Sequence, residues 1–184
     1  MTIRLHRLFL VAGLLAAVLV AGSTRVSAQA RQSSKAHVVE ADPLGLAVNM
    51  PFNVSYEYKD GPVNSWVIRG HYWGGLTGNG AGSWSGPGLG AAYRYYIADS
   101  RAITALSVAP KADLFFFNQS LPNGTGATAI VLWIGGEISY KWIFDQFCVE
   151  PSLGLHIGYT PATNSPTKPT GGVATIGLNA GYAW

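Results

Sequence analysis

Apolar residues alternate with small or polar residues along the chain from about residue 50, with the period of two that β-strands show. The clearest case is the stretch 171–184, which reads GGVATIGLNAGYAW. One face of this stretch is apolar and carries Ala174, Ile176, Leu178, Ala180, Tyr182 and Trp184. The residues between them, from Thr175 to Ala183, are small or polar. The pattern predicts an amphipathic strand that ends at the last residue.

The same alternation recurs upstream between turn-forming residues, near 52–58, 66–72, 89–97, 107–116, 130–142 and 149–159. An eighth strand is expected at 37–48, followed by a tight turn at 49–51, although its alternation changes phase near Asp42 and Pro43. An even number of strands suits a closed barrel. The sequence therefore predicts an all-β protein, an eight-stranded antiparallel up-and-down transmembrane β-barrel.

The predicted connections alternate in length. Short turns are expected at 59–62, 98–101 and 144–146, and long loops rich in Gly, Ser, Thr, Asn and Pro at 74–86, 118–127 and 160–170. Short turns at one end and long loops at the other are typical of outer-membrane barrels, whose turns face the periplasm. Pro43, Pro110 and Pro151 fall inside predicted strands, where a missing N–H predicts a β-bulge.

The N-terminal residues have the pattern of a secretory signal peptide. Arg4 and Arg7 precede an apolar run at 8–21, and small residues before Ala28 and Ala30 offer two cleavage sites. The expected division is a signal peptide at 1–28, a short linker at 29–36 and a barrel at 37–184.

Composition agrees with a membrane barrel. Charged residues are 11% of the chain and hydrophobic residues 48%, whereas soluble domains contain about 25% charged residues. Without residues 1–28 the chain has nine basic and nine acidic residues, so the sequence pI near 9.1 does not indicate nucleic-acid binding. Cys148 is the sole cysteine, which excludes an internal disulfide. We predict no metal, no cofactor and no catalytic residue.

Aromatic residues are expected to form belts at the two ends of the barrel. Such belts hold amphipathic rings at the two membrane interfaces. The belt at the short-turn end comprises Tyr56, Tyr58, Trp66, Tyr93, Tyr95, Tyr140, Trp142, Tyr182 and Trp184. The belt at the long-loop end comprises Tyr72, Trp73, Phe116 and Tyr159.

Charged residues fall on the opposite, inward face of the strands. They are Glu57, Arg69, Arg94, Lys111, Asp113, Glu137, Lys141 and Glu150. Eight strands leave an interior about wide enough for side chains alone. We therefore expect a structural network of ion pairs that plugs the lumen, rather than an ion or proton path.

Three segments together resemble the small outer-membrane barrels of the OmpA transmembrane domain, OmpX and OmpW. They read ADPLGLAVNMPFNVSYEYKDG, GLGAAYRYYIADSR and WIGGEISYKWIFDQFCVEPSLGLHIGY. The chain is also similar to uncharacterised barrels whose first strand opens with Asn-Pro-Leu, with Asp42 in place of the asparagine. The resemblance implies location in the bacterial outer membrane, contact with outer-membrane lipid, and recognition of Trp184 in the last strand by the barrel-assembly machinery.

The expected function is structural or interactive, through surface loops whose external ligand is unknown. One alternative is a small-molecule conduit of the OmpW type. Another is a lipid A-modifying enzyme, for which Glu150, Ser152 and His156 on one strand are the most suggestive residues. At about 3.3 Å per residue, Ser152 and His156 are ~13 Å apart along the strand, beyond hydrogen-bond reach.

Overall fold

The computed structural model of the chain describes residues 35–47, 51–78, 82–97, 103–120, 126–164 and 171–184. The predicted signal peptide 1–28, most of the linker, the last residue of the predicted first strand (48) and residues 49–50 of the tight turn after it lie outside these ranges.

Eight strands form one antiparallel sheet, in which each strand pairs with the next and the last pairs with the first. The strands are β1 His37–Asp42, β2 Phe52–Lys59, β3 Asn64–Gly78, β4 Gly82–Tyr96, β5 Ala105–Ser120, β6 Gly126–Phe144, β7 Phe147–Thr163 and β8 Gly171–Ala183. The predicted eight-stranded up-and-down barrel is therefore confirmed as a fold. We call the end that holds His37 and Trp184 the base, and the other the far end.

The first strand is shorter than predicted, because Asp42 begins a helix. The predicted strand 37–48 stops at Asp42, and a short helix, α1 Leu44–Ala47, follows. The Leu44 backbone N–H donates to Asp42 Oδ1 at 3.0 Å, so the Asp42 carboxylate caps the first turn of α1. In the described part of the chain, no helix is long and apolar enough to cross a membrane.

The predicted difference in loop length is confirmed only in part. Residues 74–78 and 82–86 of the first predicted long loop belong to strands, so β3 and β4 leave only residues 79–81 between them, whereas β5 and β6 leave 121–125 and β7 and β8 leave 164–170. Their Gly, Ser and Thr residues still pair backbone to backbone, as in Trp73 opposite Gly86, because the ladder does not require apolar side chains. The predicted tight turn 98–101 lies instead within a longer connection, residues 97–104.

The prolines do not produce the predicted bulges. Pro110 stays in register opposite Gly136, and Pro151 opposite Leu178, while Pro43 lies beyond the end of β1. Pro110 interrupts the backbone pairing of β5 with β4, and Pro151 interrupts that of β7 with β6. The register is the same on both sides of each interruption. The two register shifts among the described pairings lie at 74–76 in β3 and 130–132 in β6.

The apolar face of the sheet points outward. Ile68, Leu89, Leu155 and Ile157 are 62–72% exposed on the outer surface. The charged face points into the barrel. This arrangement is the inverse of a soluble barrel, whose apolar side chains fill the interior.

The interior is layered from one end to the other. An apolar cluster fills the base and an aromatic cluster fills the far end, with charged side chains between them. The base cluster comprises Val38, Tyr96, Ile103, Ile143, Cys148 and Ala183. The aromatic cluster comprises Trp73, Trp84, Phe115, Phe117, Ala129, Val131 and Trp133.

Glycines on the inner face of β4 make room for these large side chains. A β-carbon on Gly88 would lie 2.6 Å from Phe115 Cδ1, and one on Gly90 would overlap the Asp113 carboxylate and lie 2.8 Å from His71 Nε2. The glycines of β4 therefore allow the Phe115 ring and the hydrogen-bonded His71 and Asp113 side chains to lie against the backbone of the narrow barrel.

Candidate functional site

Lys141 lies at the centre of a buried cluster of charges, which we call the base charge cluster (Glu40, Glu57, Arg94, Lys141 and Glu150). Its Nζ is 2.9 Å from Glu40 Oε2, 2.5 Å from Glu57 Oε2 and 3.1 Å from Glu150 Oε2. The Lys141 side chain is 0% exposed. One ammonium group thus links side chains from strands β1, β2, β6 and β7.

Arg94 completes the base charge cluster. It donates to Glu57 Oε2 and Glu150 Oε2 at 2.7 Å each, and to Glu150 Oε1 at 2.8 Å. Glu57 also accepts hydrogen bonds from the hydroxyls of Tyr96, at 2.5 Å, and Ser65. A carboxylate with four donor side chains around it is held in one position, because charge-assisted hydrogen bonds are strong in a dry interior.

A second group of charges, the central charge cluster (Arg69, His71, Lys111, Asp113 and Glu137), lies nearer the far end. Arg69 donates to Glu137 Oε1 at 2.5 Å, and Lys111 lies 3.3 Å from Asp113 and 3.4 Å from Glu137. His71 Nε2 lies 3.0 Å from Asp113 Oδ1. Arg94 reaches Glu137 at 3.3 Å, so the two clusters form one continuous network.

The structure places all eight charged residues named from the sequence on the inner face of the barrel. Glu40 and Asp42, which are 3% and 4% exposed, were not predicted as inward charges, and His71 was not predicted as the partner of Asp113. The alternation of apolar and polar residues changes phase near Asp42, so neither acid was assigned to the inward face. Glu40 and Asp42 are nevertheless two residues apart, which is the spacing of residues on one face of a strand.

Replacing Glu137 with Gln is expected to destabilise the barrel, because Arg69 and Lys111 lose a negative partner while the amide retains most of the packing. The expected loss is about 1–3 kcal/mol of unfolding free energy. Urea titration in detergent, followed by tryptophan fluorescence, measures it. An unchanged transition midpoint would contradict a structural role of this carboxylate.

The predicted short-turn belt lies mostly on the outer surface near the base. Tyr56, Tyr58, Trp66, Tyr95, Tyr182 and Trp184 are 39–50% exposed, and Tyr93 and Tyr140 are partly exposed. Trp142 lies on the same face of β6 as Tyr140, with the two rings 4.7 Å apart, but it is only 7% exposed.

Of the four aromatics predicted at the far end, three are exposed and one is not. Tyr72, Phe116 and Tyr159 are 43–63% exposed. Trp73 was wrongly assigned to the outer belt, because it alternates with Tyr72 and therefore points inward, where its ring lies 4.9 Å from that of Trp133.

The carboxylates of Glu40, Glu57 and Glu150 lie within 4.8 Å of one another, as metal ligands do. The Lys141 ammonium is within 3.1 Å of an oxygen of each carboxylate. The base charge cluster therefore already contains its cation as part of the chain.

A small cavity, which we call the central cavity, adjoins the central charge cluster below the aromatic cluster. Its volume is about 40 Å³, enough for two or three water molecules. Among its lining residues are Asp42, Asn53, Arg69, Ser152, His156 and Asn179. The short strands β1 and β2 and the facing part of β8 form one side of it.

Several polar atoms at the central cavity have no hydrogen-bond partner among the described residues. They are Asn53 Oδ1, Arg69 Nη1, His71 Nδ1, both ring nitrogens of His156, and Asn179 Oδ1. Buried polar atoms in native structures are nearly always paired, and water molecules in a cavity of this size can pair with these atoms. Since His156 bonds to no hydroxyl, Ser152 and His156 do not form a nucleophile–base pair.

The chain matches no protein-family model, and comparisons with curated proteins and with solved structures find no match.

Proposed function

We propose that this protein is a bacterial outer-membrane β-barrel of the OmpA, OmpX and OmpW type, with a plugged lumen and a structural or interaction role. The observation that carries the proposal is the orientation of the sheet. Among the described residues, twenty-four large hydrophobic side chains are exposed, including Leu155 and Ile157 at 72%. An apolar belt around a charged interior suits hydrocarbon outside the barrel, and in water it would form an aggregation-prone patch.

Export and assembly signals support the same location. The apolar segment at 8–21 has the pattern of a cleaved signal peptide. At the other end, Tyr182 in the last strand and Trp184 directly after it are exposed at 48% and 47%. We infer that outer-membrane lipid covers the belt, that the assembly machinery recognises the strand ending at Trp184, and that the far-end connections contact external partners.

The packing of the lumen favours a plugged barrel over a conduit. At the far end, the rings of Trp73, Phe115 and Trp133 contact one another at centroid distances of 4.8–6.1 Å. Below them the two charge clusters cross the interior. A polar solute would have to separate both layers in order to pass.

Two measurements test the proposal on the purified chain folded in detergent. We expect the unboiled protein to migrate differently from the boiled protein on a gel, because a closed barrel resists unfolding by the detergent. We also expect no single-channel conductance in a planar bilayer. Equal migration of both samples would refute the membrane barrel, whereas stable conductance would refute the plug and favour the conduit.

A further inference from the structure

We propose that the base charge cluster binds one exchangeable proton, held by Glu40, and that loss of this proton as the pH rises weakens the seam between β1 and β8 that closes the barrel. The inference concerns the closed sheet itself, so it does not rest on the proposed location in a membrane.

The base charge cluster has one more acidic than basic side chain among the described residues. Carboxylate oxygens of Glu40, Glu57 and Glu150 lie within 4.8 Å of one another. Arg94 and Lys141 are the two cations that offset them. All five side chains are at most 3% exposed. An uncompensated charge in a dry interior is strongly unfavourable, and a carboxyl group in that position takes up a proton instead.

The neighbouring central charge cluster has no spare cation for the base charge cluster. Its Arg69 pairs with Glu137, and its Lys111 lies between Glu137 and Asp113. Two basic side chains thus match two carboxylates there. The excess negative charge therefore stays in the base charge cluster.

Glu40 is the carboxylate with the weakest hydrogen-bond donors around it. Both oxygens of Glu57 and both oxygens of Glu150 accept hydrogen bonds from N–H or O–H groups. Glu40 Oε2 accepts from Lys141 at 2.9 Å, but Oε1 contacts only the Cys148 thiol among the described residues, at 3.4 Å. Strong donors stabilise an ionised carboxylate and a thiol is a weak donor, so the proton resides best on Glu40.

The titratable and charged groups that surround Glu40 come from three other strands. They are Glu57 in β2, Arg94 and Tyr96 in β4, and Lys141, Cys148 and Glu150 in β6 and β7. Both cations are already bonded to Glu57 and Glu150. Loss of the proton from Glu40 therefore adds a third negative charge to two balanced pairs.

Glu40 also lies in the shortest seam of the sheet. Since β1 is six residues long, it pairs with a short part of β8, residues 180–183, whereas β7 pairs with β8 over residues 171–182. Glu40 is opposite Gly181, and a β-carbon on that glycine would lie 2.7 Å from Glu40 Cγ. The Glu40 side chain thus lies against the β8 backbone. Repulsion of an ionised Glu40 by the other two carboxylates acts directly on the pairing that closes the ring.

The bound proton makes the stability of the barrel depend on pH in a defined direction. An ordinary Glu side chain has a pKa of about 4.3, so at higher pH the unfolded chain holds one proton fewer than the native barrel. The free energy of unfolding then falls as the pH rises, until the native barrel releases the proton as well. For the full mature chain in detergent, we expect the urea midpoint to fall from about pH 5 to about pH 8.

Glu40→Gln is the decisive variant, because an amide has the shape of a protonated carboxyl group and cannot ionise. We expect its urea midpoint to match that of the parent at acidic pH and to exceed it at alkaline pH. His71 and His156 titrate alike in both proteins, so the difference between the two curves isolates Glu40. Asp60→Asn, in the exposed turn after β2, is the matched control and should keep the pH dependence of the parent.

Infrared difference spectra between acidic and alkaline samples in D₂O detect the proton itself. The C=O stretch of a protonated carboxyl group lies above the amide I band. We expect the parent to lose such a band as the pH rises. The band should be absent from Glu40→Gln and present in Asp42→Asn, which changes the other enclosed acid of the first strand.

Hydrogen–deuterium exchange tests the effect on the seam. After correction for the intrinsic effect of pH, exchange in β1 and in the facing part of β8 should be faster at alkaline than at acidic pH in the parent, and exchange in β5 and β6 should not. Glu40→Gln should show no such difference. Equal acceleration in all strands would refute the effect on the seam.

Three outcomes would overturn the proton site. They are an equal pH dependence of the parent and Glu40→Gln, a carboxyl band that persists in Glu40→Gln, and a loss of stability or of folding in Glu40→Gln at every pH. The last would show that the native barrel requires the ionised carboxylate, as we expect for Glu57→Gln, since Glu57 accepts from four donor side chains. Gel mobility of the same samples tests the membrane barrel separately.

Discussion

Replacing Lys141 with Met is expected to lower the free energy of unfolding by about 3–5 kcal/mol, the usual cost of leaving buried charges without a partner. The carboxylates of Glu40, Glu57 and Glu150 would then lie within 4.8 Å of one another with only Arg94 to offset them. Urea titration of the barrel in detergent, followed by tryptophan fluorescence, measures the loss.

Two further variants make this result specific. Lys59→Met removes the same charge from a partly exposed position at the end of β2, and it should change stability by less than about 1 kcal/mol. Adding Glu40→Gln to Lys141→Met should recover about 0.5–3 kcal/mol, because it removes one of the repelling carboxylates. If both lysine variants lost equal stability, the base charge cluster would not be the cause.

Trp133→Ala is the second large effect that we expect, again about 3–5 kcal/mol, because it leaves a cavity in the aromatic cluster. The Trp133 ring is 5% exposed and contacts Trp73, Phe115 and His156 at centroid distances of 4.9, 4.8 and 5.8 Å. Far-ultraviolet circular dichroism during urea titration is the suitable measurement, since the variant loses a fluorescent ring.

The matched control is Trp66→Ala on the outer face, where Trp66 is 49% exposed and pairs mainly with Tyr93 at 4.8 Å. Its expected loss in detergent is about 0.5–1.5 kcal/mol, the range for one aromatic pair. A larger loss at Trp66 than at Trp133 would show that the outer surface, and not the interior aromatic cluster, stabilises the barrel.

The sequence predicted the inward charges well, because side-chain direction in a strand follows from position parity alone. Glu57, Arg94 and Glu150 each alternate with apolar neighbours, so their common face needs no knowledge of the fold. Which of these charges form ion pairs with one another was not predictable from the sequence. Arg94 and Glu150 lie 56 positions apart, and only the staggered register of a closed sheet brings them to 2.7 Å.

Loop boundaries were predicted poorly, because they too depend on pairing between strands. The Gly- and Ser-rich stretch 74–86 lacks the apolar alternation that marks a strand, yet residues 74–78 and 82–86 continue the ladder of β3 and β4. Pairing with a neighbouring strand extends a β-strand whatever its side chains are. The opposite error occurred at 43–47, where local capping by Asp42 ends a strand that periodicity alone would continue.

The sequence by itself determined the strand number, the antiparallel order and the face on which each charge lies, because these depend on alternation and turns within short segments. Only the tertiary structure decided which charges pair, that Trp73 joins an interior aromatic cluster, and that Asp42 faces a cavity without a basic partner. Those features arise from register and closure, which bring together side chains from strands distant in the chain.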